Sequence, residues 1–357
     1  MRGLDGASSS NWLTPPPPIA PGLGGRMRCG TPAKSCFCRY DLKDVALAPK
    51  SAARPPDLTT TRAPFIEEAR AHGEIYIIDQ PYELYSEENQ ATWGRLLERM
   101  HDPWARYANR RFLEGMEKLQ LSAARIPHLD EINRFMQPLT GFRARAVSGY
   151  VPSYVFFDCL RRREFPTTVT IRDGERLEYL PEPDIFHDVA GHVPMHTDQA
   201  FAAALVQFGA CAAAAARRAA AVPDPRERLR RLTSNIRAMS RFFWFSVEFG
   251  LMRHAPGDGD GAVKVYGSGL LSSFGEIARA IDAPEVDRRT FEIEEVVNQP
   301  FEIDHYQPRL YIVDSFDHLF ALVSELEAWM QAGKLDDVAL GEPLVTESDL
   351  ASFLAAV

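Results

Sequence analysis

His187 and His192 stand five residues apart in Pro183-Asp184-Ile185-Phe186-His187-Asp188-Val189-Ala190-Gly191-His192-Val193-Pro194. Two imidazoles and one carboxylate make the facial triad that binds non-haem Fe(II) and leaves open positions for oxygen chemistry. Glu248 supplies a candidate carboxylate, as the one acid in Phe243-Trp244-Phe245-Ser246-Val247-Glu248-Phe249-Gly250. An ionised carboxylate in so apolar a run is expensive to bury unless it is paired or bound to a cation.

On an ideal α-helix, positions five apart are rotated by roughly 140° from each other. The two histidines are therefore expected to converge only because the helix ends between them, with Gly191 and Pro194 as the terminating residues. Plainer readings stay open here: hydrogen-bonded core histidines, and a Glu248 paired with Arg241 or Arg253. Zinc is a competing ion for two histidines and a glutamate. The zinc-protease pattern, however, has a glutamate directly after the first histidine and the second histidine four residues on. Here Asp188 follows His187 and the spacing is five, which favours iron. Trp244 precedes Glu248 by four, so both belong to one helix face. An aromatic wall beside the carboxylate suits a planar aromatic substrate.

The elements that must position these residues are mostly helical. Ser86-Glu87-Glu88-Asn89 opens a helix with acids in its first turn and Trp93, Leu96, Leu97 and Met100 at helical spacing. Further helices are expected over 104–119, 128–135, 154–162 and 184–191, the last with Pro183 at or before its start. An alanine-rich helix over 199–221 is broken by Pro223 and Pro225, and 226–251 resumes the pattern and carries Glu248. Helices over 273–280 and 316–331 follow. Extended pieces are expected at 75–78, 141–146, 165–172 and 309–313, the third rich in β-branched residues. Gly257–Gly261 reads as a loop, and Tyr266-Gly267-Ser268-Gly269 as turn-rich.

The fold class is thus mostly α with short β-strands, in a single catalytic domain over 63–335. A segment over 1–62 carries Ser8-Ser9-Ser10, Pro15-Pro16-Pro17-Pro18 and Arg54-Pro55-Pro56; it has no amphipathic face and is expected to be disordered, with order beginning near Phe65. Met27 offers a second possible start. Residues 336–357 form a short C-terminal extension.

With 357 residues, 45% hydrophobic and 25% charged, the chain has the balance of an ordinary soluble globular protein. A formal net charge of −9 shows no electrostatic footprint for nucleic acid. The runs Arg161-Arg162-Arg163 and Arg226, Arg228, Arg230, Arg231 read as solvated helix faces. Five cysteines in no regular framework fit a reducing, cytoplasmic setting, and Cys29, Cys36 and Cys38 lack the spacing and fourth ligand of a zinc finger. No membrane span or secretory leader is expected.

Several blocks in order carry a resemblance: Thr140-Gly141-Phe142-Arg143, Tyr179-Leu180-Pro181-Glu182-Pro183-Asp184-Ile185-Phe186-His187-Asp188, Gly191-His192-Val193-Pro194, Trp244 to Leu251, and Tyr266-Gly267-Ser268-Gly269-Leu270-Leu271-Ser272-Ser273. Over roughly residues 70 to 320 the chain resembles the pterin-dependent aromatic amino acid hydroxylases, in particular the short bacterial phenylalanine 4-hydroxylases. The resemblance implies that His187, His192 and Glu248 hold Fe(II). It makes Arg172 the clamp for the substrate carboxylate, with Asp184 holding the guanidinium, a task suited to a planar fork of donors. It gives Trp244 and Pro183 as pocket walls, and Ser272 as a hydroxyl that bonds a histidine ligand or the substrate. Phe156 becomes the ring on which tetrahydrobiopterin stacks, Gly149 and Val151 the backbone that reads the pterin edge, and Asp188 an acid near it. From the residues alone, Phe156 and Val151 would read as core packing and Arg172 as a surface charge.

The implied reaction uses O2, a tetrahydropterin and a free aromatic amino acid, with L-phenylalanine to L-tyrosine foremost. Tryptophan hydroxylation, or attack on phenylalanine at the meta position, stays open, because one methylene is worth only about 1–3 kcal/mol in discrimination. A zinc hydrolase on the same ligands and a metal-stabilised binding protein are the rivals from other classes. Three departures stand close to the site: Ala190 where the family has a larger apolar residue, Phe243 where a tyrosine is common, and Met195-His196-Thr197-Asp198 in place of an apolar continuation. The N-terminal segment does not resemble the animal regulatory domain, and the C-terminus lacks the long tetramerisation helix. A constitutively active monomer or weak dimer is expected.

Overall fold

The computed structural model describes residues 57–60, 77–149, 151–178, 183–253, 262–303 and 305–355. The expectations for Cys29, Cys36, Cys38, Phe65, the Gly257–Gly261 loop and Tyr179–Glu182 lie outside the described residues.

Helix α1 (Glu87–Tyr107) starts where the sequence places it. Ser86 Oγ accepts from the Asn89 backbone N–H, and Asn89 Oδ1 accepts from that of Ser86, each at 3.1 Å, so two orphan donors of the first turn are satisfied. The helix runs on through Pro103, although a fresh start at Trp104 was expected, because Trp104 and Tyr107 beyond the proline are buried. The break falls at Ala108, and Asn109 caps α2 (Arg110–Leu119). α3 (Leu129–Thr140) ends on Gly141 at φ 77°, a left-handed C-cap.

β1 (Arg143–Val147) and β2 (Glu164–Thr168) pair in parallel, which requires a crossover, and α4 (Ser153–Arg161) supplies it. The second strand is shorter than the extended stretch read from the sequence. After Thr168 the backbone leaves this sheet: Thr170 C=O accepts from Ile185 N–H at 2.7 Å. Ile171 pairs with the 57–60 segment, donating to Leu58 C=O at 2.9 Å and accepting from Thr60 N–H at 2.8 Å. Order is therefore found upstream of Phe65.

A six-residue π-helical turn (His187–His192) leads into α5 (Val193–His196). α6 (Gln199–Ala220) is the central helix, packed against α4, α7 (Pro225–Phe243) and α11 (Phe316–Ala332). It is buried on nearly every face, as a helix apolar all round must be. Its 22 residues, with a mean hydropathy of 1.5 over its most apolar stretch, would match a membrane span by length and composition alone, but two thirds of that stretch is packed inside the protein, as in a core helix. A second π-helical turn (Trp244–Glu248) closes α7.

β3 (Leu251–Arg253), β4 (Val263–Val265), β5 (Asp287–Thr290) and β6 (Arg309–Val313) form a four-stranded mixed sheet in the order β4-β3-β6-β5. α8 (Ser268–Leu271) replaces the expected turn, and α9 (Phe274–Asp282) and α10 (Ile293–Asn298) follow. The 336–357 extension carries α12 (Glu347–Ala355), whose Leu350 and Phe353 are buried and whose Asp349 accepts from Tyr154 Oη at 2.6 Å. The protein is mostly helical with short strands.

Candidate active site

The two histidines converge by a route different from the one the sequence suggested. The helix does not end between them. A π-turn hydrogen-bonds residue i to i+5, so positions five apart fall one turn apart on one side. His192 Nε2 lies 3.1 Å from His187 Nε2. Gly191 permits this packing, because a Cβ there would sit 3.0 Å from the Ser268 carbonyl oxygen and 3.3 Å from Ser272 Cβ.

Glu248 comes from the second π-turn, in which Phe249 N–H donates to Trp244 C=O at 2.8 Å. Its carboxylate faces both rings, with Oε1 3.2 Å from His192 Nε2 and Oε2 3.4 Å from His187 Nε2. The plainer pairings fail: Arg253 bonds Asp314, and Arg241 donates to the Val297 carbonyl. Burial alone would raise the Glu248 carboxyl, but the charge and hydrogen bonds of His192 and His187 outweigh it and hold it well below the usual range.

Two imidazole nitrogens 3.1 Å apart, and a carboxylate whose two oxygens lie 3.2 and 3.4 Å from one nitrogen each, fit one shared cation. Metal–ligand bonds of about 2.1 Å meeting at right angles place donors roughly 3.0 Å apart. Asp188 offers a fourth donor near the histidines. Its Oδ2 accepts from both the N–H and the hydroxyl of Thr168 at 2.6 Å, and its Oδ1 is 4.0 Å from His187 Nε2. Glu248 reaches both rings more closely, so Asp188 is the outlying acid. Burial raises its carboxyl against the opposing field of His187 and His192 and the Thr168 bonds.

A bonded chain runs from the metal-facing ring to the arginine. His187 Nδ1 and Ser272 Oγ are 2.8 Å apart, and the Ser272 carbonyl accepts from Arg172 Nη1 at 3.1 Å. Arg172 is 3% exposed and Asp184 fully buried, which overturns a surface-charge reading. Nε and Nη2 donate to the two Asp184 oxygens at 2.8 and 2.9 Å, and Asp184 also accepts from the backbone N–H groups of Arg172 and His187. Burial would raise the Asp184 carboxyl, but the guanidinium charge and these bonds leave it below its ordinary value.

An apolar cleft opens over the donors. Its walls include Pro183, Trp244, His187, His192, Glu248 and Asp188, together with Gly149, Val151 and Phe156. Gly149 has φ 132°, which a side chain would strain. Arg172, Asp184 and Ser272 lie behind the lining rather than in it. Sequence reasoning missed Phe301, whose ring stacks on Trp244 at 4.2 Å and 9°, and Gln307, which accepts from Trp244 Nε1 at 3.2 Å. It also missed Thr168. None of these has a local signal, since each meets its partner across 20 or more residues. Phe156 packs edge-to-face on Phe157, Phe165 and Phe243, so core packing and cleft lining coexist in one side chain.

The sequence profile of the family described as biopterin-dependent aromatic amino acid hydroxylase matches residues 69–332. The phenylalanine-4-hydroxylase of Caulobacter vibrioides is 38% identical over 244 residues, 68% of this chain and 76% of that protein. Phenylalanine hydroxylase from Chromobacterium violaceum, with bound iron(III) and oxidised 7,8-dihydrobiopterin, aligns at TM-score 0.64 and 30% identity over 77% of this chain and 96% of that one. Its iron- and phenylalanine-bound structure aligns at 0.62 and 30% identity over 75% and 90%. With a family profile over most of the chain and relatives of 30% identity or more that agree with it in sequence and fold, this chain is a member of the biopterin-dependent aromatic amino acid hydroxylases.

Proposed function

We propose that this protein hydroxylates the ring of free L-phenylalanine to give L-tyrosine, using O2, a tetrahydropterin and Fe(II) held by His187, His192 and Glu248. The observation that carries the reading is the meeting of two imidazole nitrogens and one carboxylate at the floor of an aromatic-walled cleft. When bound, the iron and reduced pterin supply oxygen activation and two electrons, so that one oxygen atom enters the ring and the other ends on the pterin.

The chain's own residues bind, orient and exclude water. Asp184 holds the Nε–Nη2 edge of Arg172 and the carbonyls of Leu177, Glu178 and Ser272 accept from Nη1, so the substrate carboxylate reaches the Nη1–Nη2 edge by displacing those carbonyl contacts. Two parallel charge-assisted bonds then fix the amino acid's direction. Trp244, held by Phe301 and Gln307, and Pro183 wall the substrate ring. Phe156, Val151 and Gly149 hold the flat pterin, with Asp188 as an acceptor between the two ligands. The apolar lining excludes water and makes near-attack geometry possible.

The test is metal content. Glu248→Ala and His187→Ala are expected to lose iron binding, with product formation lost in parallel. Near-normal iron in either variant counts against the triad. Stoichiometric zinc with turnover indifferent to pterin would replace the reading with a hydrolase.

A further inference from the structure

His196 is completely buried. It ends α5, four residues after His192, so both rings rise from one helical side. Its surroundings are aromatic: Phe165 at 4.7 Å, Phe142 at 5.5 Å and Phe201 at 6.5 Å between ring centroids. Neither of its ring nitrogens meets a hydrogen-bond partner among the described residues, and neither does His192 Nδ1.

Each unpaired buried polar atom costs about 1–3 kcal/mol, so three of them on adjacent rings call for a shared partner. His192 turns Nε2 toward His187 and Glu248, and when that atom binds a metal the neutral ring carries its proton on Nδ1 as a donor. A neutral His196 always has one nitrogen able to accept. The ring centroids are 5.9 Å apart, and no direct bond joins the rings. Two hydrogen bonds of about 2.8 Å meeting at one water join atoms roughly 4.5 Å apart, which is the reach a single-water bridge requires.

We infer that His196 is a positioning residue that accepts the His192 Nδ1 proton through one buried water, fixing the tautomer and ring plane that present Nε2 to the metal. The inference rests on His192 being a ligand, as proposed above. Supporting groups of this kind govern metal affinity, and their loss typically costs roughly 10- to 100-fold.

The experiment measures Co(II) affinity by chelator competition for wild type, His196→Phe and His196→Gln, with urea unfolding of each metal-free protein. His196→Phe is expected to bind Co(II) roughly 10- to 100-fold more weakly while its metal-free form is as stable as wild type or more so. His196→Gln, which can still accept from a water, is expected to recover most of the affinity. In the zinc-loaded wild type, long-range nitrogen–proton spectra should show a slowly exchanging His192 Nδ1 proton that disappears in His196→Phe. Unchanged Co(II) affinity in His196→Phe, or no protected Nδ1 proton in wild type, overturns the inference and leaves the triad standing. Failure of wild type itself to bind Co(II) overturns the ligand assignment instead.

Discussion

Replacing Asp184 by asparagine changes one oxygen for an amide and leaves the volume almost intact, yet it breaks the most deeply buried ion pair described. Asp184 accepts four bonds between 2.8 and 2.9 Å, three from Arg172 and one from the His187 backbone. The asparagine amide would set a donor against one guanidinium donor and leave the Arg172 charge without a counter-ion at 3% exposure. Removing one partner of such a pair costs about 3–5 kcal/mol. For a domain of this size that lowers the melting temperature by roughly 10 °C. The pH dependence has a definite sign. The folded Asp184 carboxyl is depressed, so its contribution is complete above the unfolded value of about 4 and is lost only as pH falls through the lower folded value. Asp184→Asn should therefore be destabilised by the same amount at pH 6 and pH 8. Urea unfolding at the two pH values, with the amino-acid KM at saturating pterin, is the assay. The KM should rise, because the same carboxylate orients the guanidinium. A variant within 1 kcal/mol of wild type that keeps the wild-type KM would refute both the energetics and the clamp.

Three further outcomes are expected. Glu276 is buried with no hydrogen-bond partner for Oε2 among the described residues, and burial pushes its carboxyl up to about 8, so its stabilising protonation is lost as pH rises from about 4.5 through 8. Glu276→Gln should remove that slope, by up to roughly 1.4 kcal/mol per pH unit; parallel urea midpoints for variant and wild type across pH 5.5 to 8 would contradict it. Ser272→Ala removes the 2.8 Å partner of His187 Nδ1 and should weaken metal binding roughly 10- to 100-fold without unfolding the protein, read by chelator competition. Phe301→Ala removes the ring stacked on Trp244, worth about 1 kcal/mol beyond its burial, and should raise the amino-acid KM more than the pterin KM.

The proposed iron ligands are legible in the sequence as residues but not as geometry. His187 and His192 announce themselves by their chemistry, while a five-residue spacing on an ideal α-helix implies a helix that ends between them. A π-turn inserts one residue into a helix, so a pair of i, i+4 neighbours becomes i, i+5. The spacing was itself the signal. Glu248 was legible because a lone acid among phenylalanines has a solvation cost that points to a cation. The capped start of α1, the closing helix α11 and strand β6 followed from local patterning, which propagates over a few residues. Strands β3, β4 and β5, of three or four residues each, are too short to show a period. Phe301 on Trp244 and Thr168 on Asp188 are tertiary meetings, and no window of sequence contains both partners.

The most direct test is to load the protein anaerobically with Fe(II), add L-phenylalanine and tetrahydropterin, admit O2, and separate the products against para- and meta-tyrosine standards. The account predicts para-tyrosine formed in step with pterin oxidation, and neither in the Glu248→Ala variant. Bound iron with no pterin turnover and no tyrosine would contradict it.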